Sequence, residues 1–171
     1  DHSSGRQPEE PLQTAIGGGW PSICMHTRGG DSGNTAASLV ADLVADGSRL
    51  PVYWCSLYSP CLGLFLPIFI EGELPAALSV GGATPQEDSP WWQFHRMSRL
   101  ARAGGPERVA QVRERWAPLQ EELLESAYET AARGQRLLDG GQLDEARRML
   151  TATMQRNVDS MFETLAGLWS A

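Results

Sequence analysis

Residues 22–70 read SICMHTRGGDSGNTAASLVADLVADGSRLPVYWCSLYSPCLGLFLPIFI, and this stretch decides the fold. It holds all three cysteines, one of the three histidines and most of the strand-like sequence. Ser22–His26 is short and extended, and Thr27–Asn34 is a glycine-rich loop. From Thr35 to Leu43, Ala37, Leu39, Ala41 and Leu43 alternate with Ser38, Val40 and Asp42, the period of a strand. Asp46-Gly47-Ser48 supplies a turn. Val52–Leu57 follows, rich in β-branched and aromatic residues, so the two runs predict a hairpin. Leu64–Ile70 is a nearly continuous apolar run, and Pro67 inside it calls for an edge position or a bulge.

Outward from this stretch the chain changes character. Residues 1–19 are polar, with Pro8, Pro11 and Gly17-Gly18-Gly19, and read as a linker. Ala76–Val80 reads as a further short strand. Ser89 and Pro90 are good N-cap and first-turn residues, predicting a helix to about Ala103, ended by Gly104-Gly105. After Pro106, Val109, Val112, Trp116, Leu119, Leu123 and Ala127 fall on one helical face. Pro118 lacks a backbone donor and is a site for a kink. Gly140-Gly141 breaks the helix. Leu143, Ala146, Leu150, Met154, Val158, Met161, Leu165 and Leu168 then form the stripe of a last helix, so two long helices should pack antiparallel. Leu137–Leu150 is similar to one turn and helix of a tetratricopeptide repeat, but no second copy follows, and it reads as an ordinary helical hairpin. The organisation is a linker at 1–19, a β-rich part with one docking helix at 20–103, and the hairpin at 104–171.

Composition narrows the function. The 171 residues carry a net charge of −7, with acids spread along the chain and no basic stripe, which argues against nucleic acid as the main partner. All 14 basic residues are arginine, so neither a Schiff-base lysine nor a phosphate-loop lysine is present. Three cysteines are too few for a disulfide scaffold, and reduced thiols in a cytoplasmic setting are the plainer reading. Asp1–Gly5 has neither the basic nor the apolar segment of a signal peptide, and no apolar run is long enough to span a membrane.

Several side-chain sets could carry chemistry. Cys24 and His26 are two apart, on the same face of a strand. Imidazole beside a thiol can lower its pKa and accept its proton. A buried small thiol beside a hydrogen-bonded histidine is the plainer alternative. Cys55 and Cys61 with Cys24 and His26 would make four zinc-type ligands, but paired knuckle spacings are missing. The loop Gly29–Asn34 could cradle an anion, yet it leads into a strand and lacks the phosphate-loop spacing. Trp91-Trp92-Gln93-Phe94-His95 reads as an aromatic anchor for its helix, or as the wall of an apolar pocket with His95 as its polar group.

The Cys24-x-His26 pair, Thr35-Ala36-Ala37-Ser38-Leu39-Val40, Ser59-Pro60-Cys61, Phe65-x-Pro67 and Trp92-x-x-His95 occur in that order. In that order and spacing, they resemble the C-terminal part of the secernin-like dipeptidases, which are cysteine N-terminal-nucleophile hydrolases. The resemblance covers about residues 18–102 and implies an α+β chain: the C-terminal part of an αββα core, with antiparallel strands followed by the helical hairpin. It implies hydrolysis of a small peptide or acyl-amide by a cysteine upstream of residue 1, with no metal and no organic cofactor. Cys24 does not match that nucleophile. Cys24, His26 and Arg28 are instead the substrate-binding candidates at the site rim. The expected partners are the substrate, the upstream half of the same protein and a second copy of the chain. The rival expectation is a non-catalytic domain that presents the apolar stripe of its helical hairpin to a protein partner.

Overall fold

The computed structural model describes residues 34–168. Within them the chain is α+β: a three-stranded antiparallel sheet in the order β1-β2-β3, then three helices. The strands are β1 (Ser38–Asp42), β2 (Val52–Ser56) and β3 (Phe65–Ile68). The helices are α1 (Pro90–Ala103), α2 (Gly105–Asp139) and α3 (Leu143–Gly167). The predicted hairpin is present, with Val40 opposite Trp54 and Asp42 opposite Val52. Cys55 faces Leu39 on one side and Leu66 on the other.

Pro67 lies in β3, an edge strand, as a residue without an N–H requires. At Phe65 the outer edge of β3 is nonetheless satisfied. The Gln120 side-chain amide of α2 accepts from Phe65 N–H at 2.8 Å and donates to Phe65 C=O at 3.2 Å. One carboxamide thereby stands in for a neighbouring strand.

Two expectations are corrected. Ala76–Ser79 is a 3-10 helix, not a strand. Alanine has little strand preference, and Leu78 N–H donates back to Pro75 C=O at 2.9 Å, closing a turn instead. The first strand begins at Ser38 rather than Thr35. The preceding carbonyls are engaged elsewhere: Thr35 C=O accepts from Ser59 N–H at 3.1 Å, and Ala36 C=O accepts from the Trp91 indole at 2.8 Å.

The helices follow the apolar stripes. Val112, Trp116, Leu119, Leu123 and Ala127 are buried on α2, and the stripe runs on through Ala131 and Gly134. The α3 stripe is buried from Ala146 to Leu168, whereas Leu143 at its start is 57% exposed. Pro118 is exposed and α2 continues through it. The two long helices run antiparallel. Near one end Gly134 abuts the Leu150 side chain, and at the other Arg108 donates to Leu168 C=O at 2.7 Å.

A single hydrophobic cluster joins sheet and helices, from Leu50 and Val52 through Phe69, Phe94 and Trp116 to Leu165 and Leu168. Burying one such side chain contributes about 1.5–3 kcal/mol. Close approach needs small residues. A Cβ at Gly72, just beyond β3, would lie 2.6 Å from Met154 Cε and 3.1 Å from Leu150 Cβ, so glycine lets this segment touch α3. There Phe69 N–H donates to Met154 Sδ at 3.4 Å.

A polar clamp fixes the hairpin to α2. Arg49 donates to Asp42 at 2.9 Å and lies over the Tyr128 ring, 4.7 Å from its centroid. The Arg49 hydrogen bond, helped by Tyr128, holds the Asp42 carboxyl below its ordinary value despite some desolvation. Interaction with the Asp42 carboxylate pushes the Tyr128 hydroxyl above its ordinary value. The sign follows from linkage. The Asp42 contribution is present above the unfolded carboxylate value and is lost as pH falls through the depressed one. The Tyr128 contribution is present below the unfolded tyrosine value and is lost as pH rises through the raised one. Thermal melts of Asp42→Asn are expected to differ from the parent chain at neutral pH and to converge with it at acid pH. A difference that is constant with pH would refute this assignment.

Candidate functional site

Ser59-Pro60-Cys61 and Trp92-x-x-His95 converge where the turn after β2 meets the start of α1. Tyr58-Ser59-Pro60-Cys61 must reverse the chain between two strands. Ser59 does so at φ 52°, ψ 72°, in the left-handed region, which a non-glycine residue rarely occupies. Such a conformation costs about 1–3 kcal/mol and persists only where surrounding contacts impose it. The contacts are explicit. Ser59 N–H donates to Thr35 C=O, Leu62 N–H donates to Ser59 C=O at 2.9 Å, and Arg102 donates to Ser59 Oγ at 2.9 Å. Ser59 is fully buried. The next turn is tied to α2 by Arg113, which donates to Cys61 C=O at 3.1 Å.

Beside this turn lies a cluster of rings. The Tyr58 ring meets the Trp91 ring edge-on at 5.2 Å and the His95 ring at 4.7 Å. His95 stacks on Trp91 at 5.5 Å with an interplanar angle of 17°, and Trp92 meets His95 edge-on at 5.2 Å. Residues 91, 92 and 95 share one side of the first helical turns because helical neighbours are three and four apart. Tyr58 and His95 are buried, so the cluster anchors α1 on the β2–β3 turn, one of the two roles its sequence allowed.

The Cys55 thiol is not activated. Cys55 and Cys61 are both half-buried. Burial pushes the Cys55 thiol up, which keeps it protonated and a poor nucleophile. Among the described residues no group of three or more His, Cys, Asp or Glu side chains is placed to hold a metal ion. Cys24, His26 and Arg28 lie outside the described residues, as does most of the Gly29–Asn34 loop. The structure therefore brings together Ser59-Pro60-Cys61 and Trp92-x-x-His95, with Phe65-x-Pro67 in the adjoining strand.

Three contributors were not foreseen from sequence: Arg102 on Ser59, Arg113 on Cys61 and Gln120 on Phe65. Each bond spans more than 40 residues, and a lone polar residue on a helix has no periodic signal. For Arg102 alone there was a visible hint, the composition of α1, PWWQFHRMSRLARA, which has three arginines and no acid.

No family model, curated protein or solved structure matches this chain. Among the described residues no helix is long and apolar enough to cross a membrane.

Proposed function

We propose that this chain is the C-terminal portion of an amide- or peptide-bond hydrolase of the secernin-like dipeptidase type, its cysteine nucleophile lying upstream of residue 1. One observation carries the reading beside the motif order. Leu39 and Val40, neighbours in β1 and so on opposite faces, are 62% and 52% exposed. The outer edge of β1 pairs with no strand among the described residues and has no counterpart of the Gln120 bracket on β3. Apolar exposure on both faces and an open edge suit an internal strand of a larger sheet and are a liability in an isolated one. In this reading the three strands belong to one sheet of an αββα core, and α2 and α3 form an outer helical layer.

The chemistry would run through the upstream cysteine. Its thiolate attacks the amide carbonyl, the amine leaves with a proton, and water cleaves the thioester to release the acid and regenerate the thiol. This chain supplies the frame: the Ser59 turn and its ring cluster set where β1 begins and how α1 lies. Cys24, His26 and Arg28 are the candidates for contact with substrate. No metal or organic cofactor takes part in these steps.

The test restores the upstream half by expressing the longer reading frame. Dipeptide hydrolysis that is abolished by thiol alkylation and by substitution of the upstream cysteine is the expected result. Activity of the present chain alone, lost in Cys24→Ala, would overturn it and make Cys24 and His26 the catalytic pair. The chain alone should self-associate or aggregate through β1, and a monodisperse monomer with a cooperative melt would count against the open-sheet reading. The apolar stripes of α2 and α3 contribute to the shared core, which favours the hydrolase reading over the rival use of the hairpin.

A further inference from the structure

A groove of about 940 Å³ runs along α1 on the side away from the core. One wall is a single helical face: Trp92, His95, Arg96, Arg99, Leu100 and Ala103 recur at spacings of three and one. The other wall is the segment 85–87. The stretch 82–87 that carries it is fastened to the helix at two points. The Trp92 indole donates to Gly82 C=O at 3.1 Å, and the Gln93 amide donates to Glu87 C=O at 2.8 Å. The groove is therefore preformed, and its volume lies in the range of small-molecule sites.

Its charge is opposite to that of the chain. The protein carries −7 overall, while α1 has three arginines and no acid. Arg102 turns to Ser59 Oγ, while Arg96 and Arg99, both exposed, line the groove. Arg99 makes no hydrogen bond or ion pair with the described residues, in contrast to Arg49, Arg102, Arg108 and Arg113. Leu100, 51% exposed, and the half-buried Trp92 ring add apolar surface along the same wall. A guanidinium presents a planar fork of donors that matches a carboxylate, and apolar surface beside it suits the body of an organic acid. Glu87 across the groove disfavours a second negative charge on the ligand. We propose that this groove is a binding site for a small monocarboxylic acid with an aromatic or branched apolar body. The proposal is independent of the hydrolase reading.

The test uses the full chain and two probes of one shape, N-acetyl-L-phenylalanine and its neutral primary amide, titrated by calorimetry. The acid is expected to bind saturably, with a Kd on the order of 1 mM or tighter, at least roughly tenfold tighter than the amide. R96Q/R99Q should abolish that preference, and R147Q/R148Q, an equal charge change on exposed α3 positions, should keep it. Leu100→Glu, which leaves both arginines in place, should weaken both probes by removing apolar surface and the acid more than the amide by adding a negative charge. Equal affinity for the two probes, a preference that survives R96Q/R99Q, or no saturable binding up to about 10 mM would each overturn the assignment.

Discussion

Replacing Phe94 by alanine is expected to lower stability by about 4 kcal/mol, in the range measured for truncating large core aromatics. Phe94 is 1% exposed and lies in the second turn of α1. Its ring stacks on Trp116 of α2 at 5.4 Å with an interplanar angle of 14°. A Cβ placed at Gly63 would lie 3.4 Å from the same ring, so Phe94 also closes over the end of the Ser59 turn. The walls of the vacated space would thus belong to α1, α2 and the β2–β3 connection. These cannot all move inward at once, because the Gln120 and Arg113 bonds hold α2 at a fixed distance from the turn. A cavity that cannot collapse gives the upper part of the cost range. Against a total stability of about 5–15 kcal/mol the loss is a large fraction. In denaturant the midpoint should fall with an unchanged slope, and the melting temperature should drop by roughly 8–16 °C. Phe94→Leu, which refills most of the volume, should cost only about 1–2 kcal/mol. A loss below about 1 kcal/mol for the alanine variant would mean that α1 is not held by this contact.

The elements legible in the sequence are those set by local backbone chemistry. Pro90 fixes the first turn of α1, and its observed span ends at Ala103 before Gly104, as predicted. Even there the reading was only partly physical. Ser89 occupies the N-cap position, but its hydroxyl makes no capping bond and is buried without a partner. Pro67 announced an edge position or a bulge because a missing N–H is a property of one residue, and the edge position is the one found. The helical hairpin was legible because a stripe repeated over many turns leaves little choice of face.

What the sequence hid depends on distant partners. Nothing local in TAASL says that Thr35 and Ala36 will give their carbonyls to Ser59 and Trp91, which delays the strand to Ser38. Nothing in the helical pattern around Gln120 marks a carboxamide that will complete a sheet edge. Ala76–Ser79 alternates too weakly to distinguish a strand from a tight turn, and Pro75 decided it by offering its carbonyl to Leu78. For the site the division is sharper. The motif residues Ser59 and His95 were named from sequence, but the arginines that give this end of the molecule its electrostatics were seen only as composition. The candidates Cys24, His26 and Arg28 lie outside the described residues.

Ser59→Val is expected to cost about 4 kcal/mol, and Ser59→Gly only about 1–2 kcal/mol, although valine keeps more apolar bulk in a buried position. Two separable terms act at this residue. The first is the side chain: both substitutions remove the Oγ that accepts from Arg102, a bond to a charged donor at a fully buried acceptor. Such bonds contribute about 1.5–3 kcal/mol. The second is the backbone at φ 52°. Glycine occupies that region freely, which offsets part of the lost bond, whereas a β-branched residue is strained there by about 1–3 kcal/mol. The difference between the variants measures the backbone term, and Arg102→Met, at about 1–2 kcal/mol, measures the bond from its other end. In the double variant S59G/R102M the two losses should be less than additive, because each removes the same interaction. Equal stability of the valine and glycine variants would show that the left-handed turn is not imposed by its surroundings. The consequence should also reach β1. Thr35 is tied to Ser59 by a backbone bond, so a displaced turn releases the segment leading into the open strand. Amide hydrogen exchange in Ser59→Val should therefore rise more at Leu39–Ala41 than at Val52–Cys55, whose strand is paired on both sides.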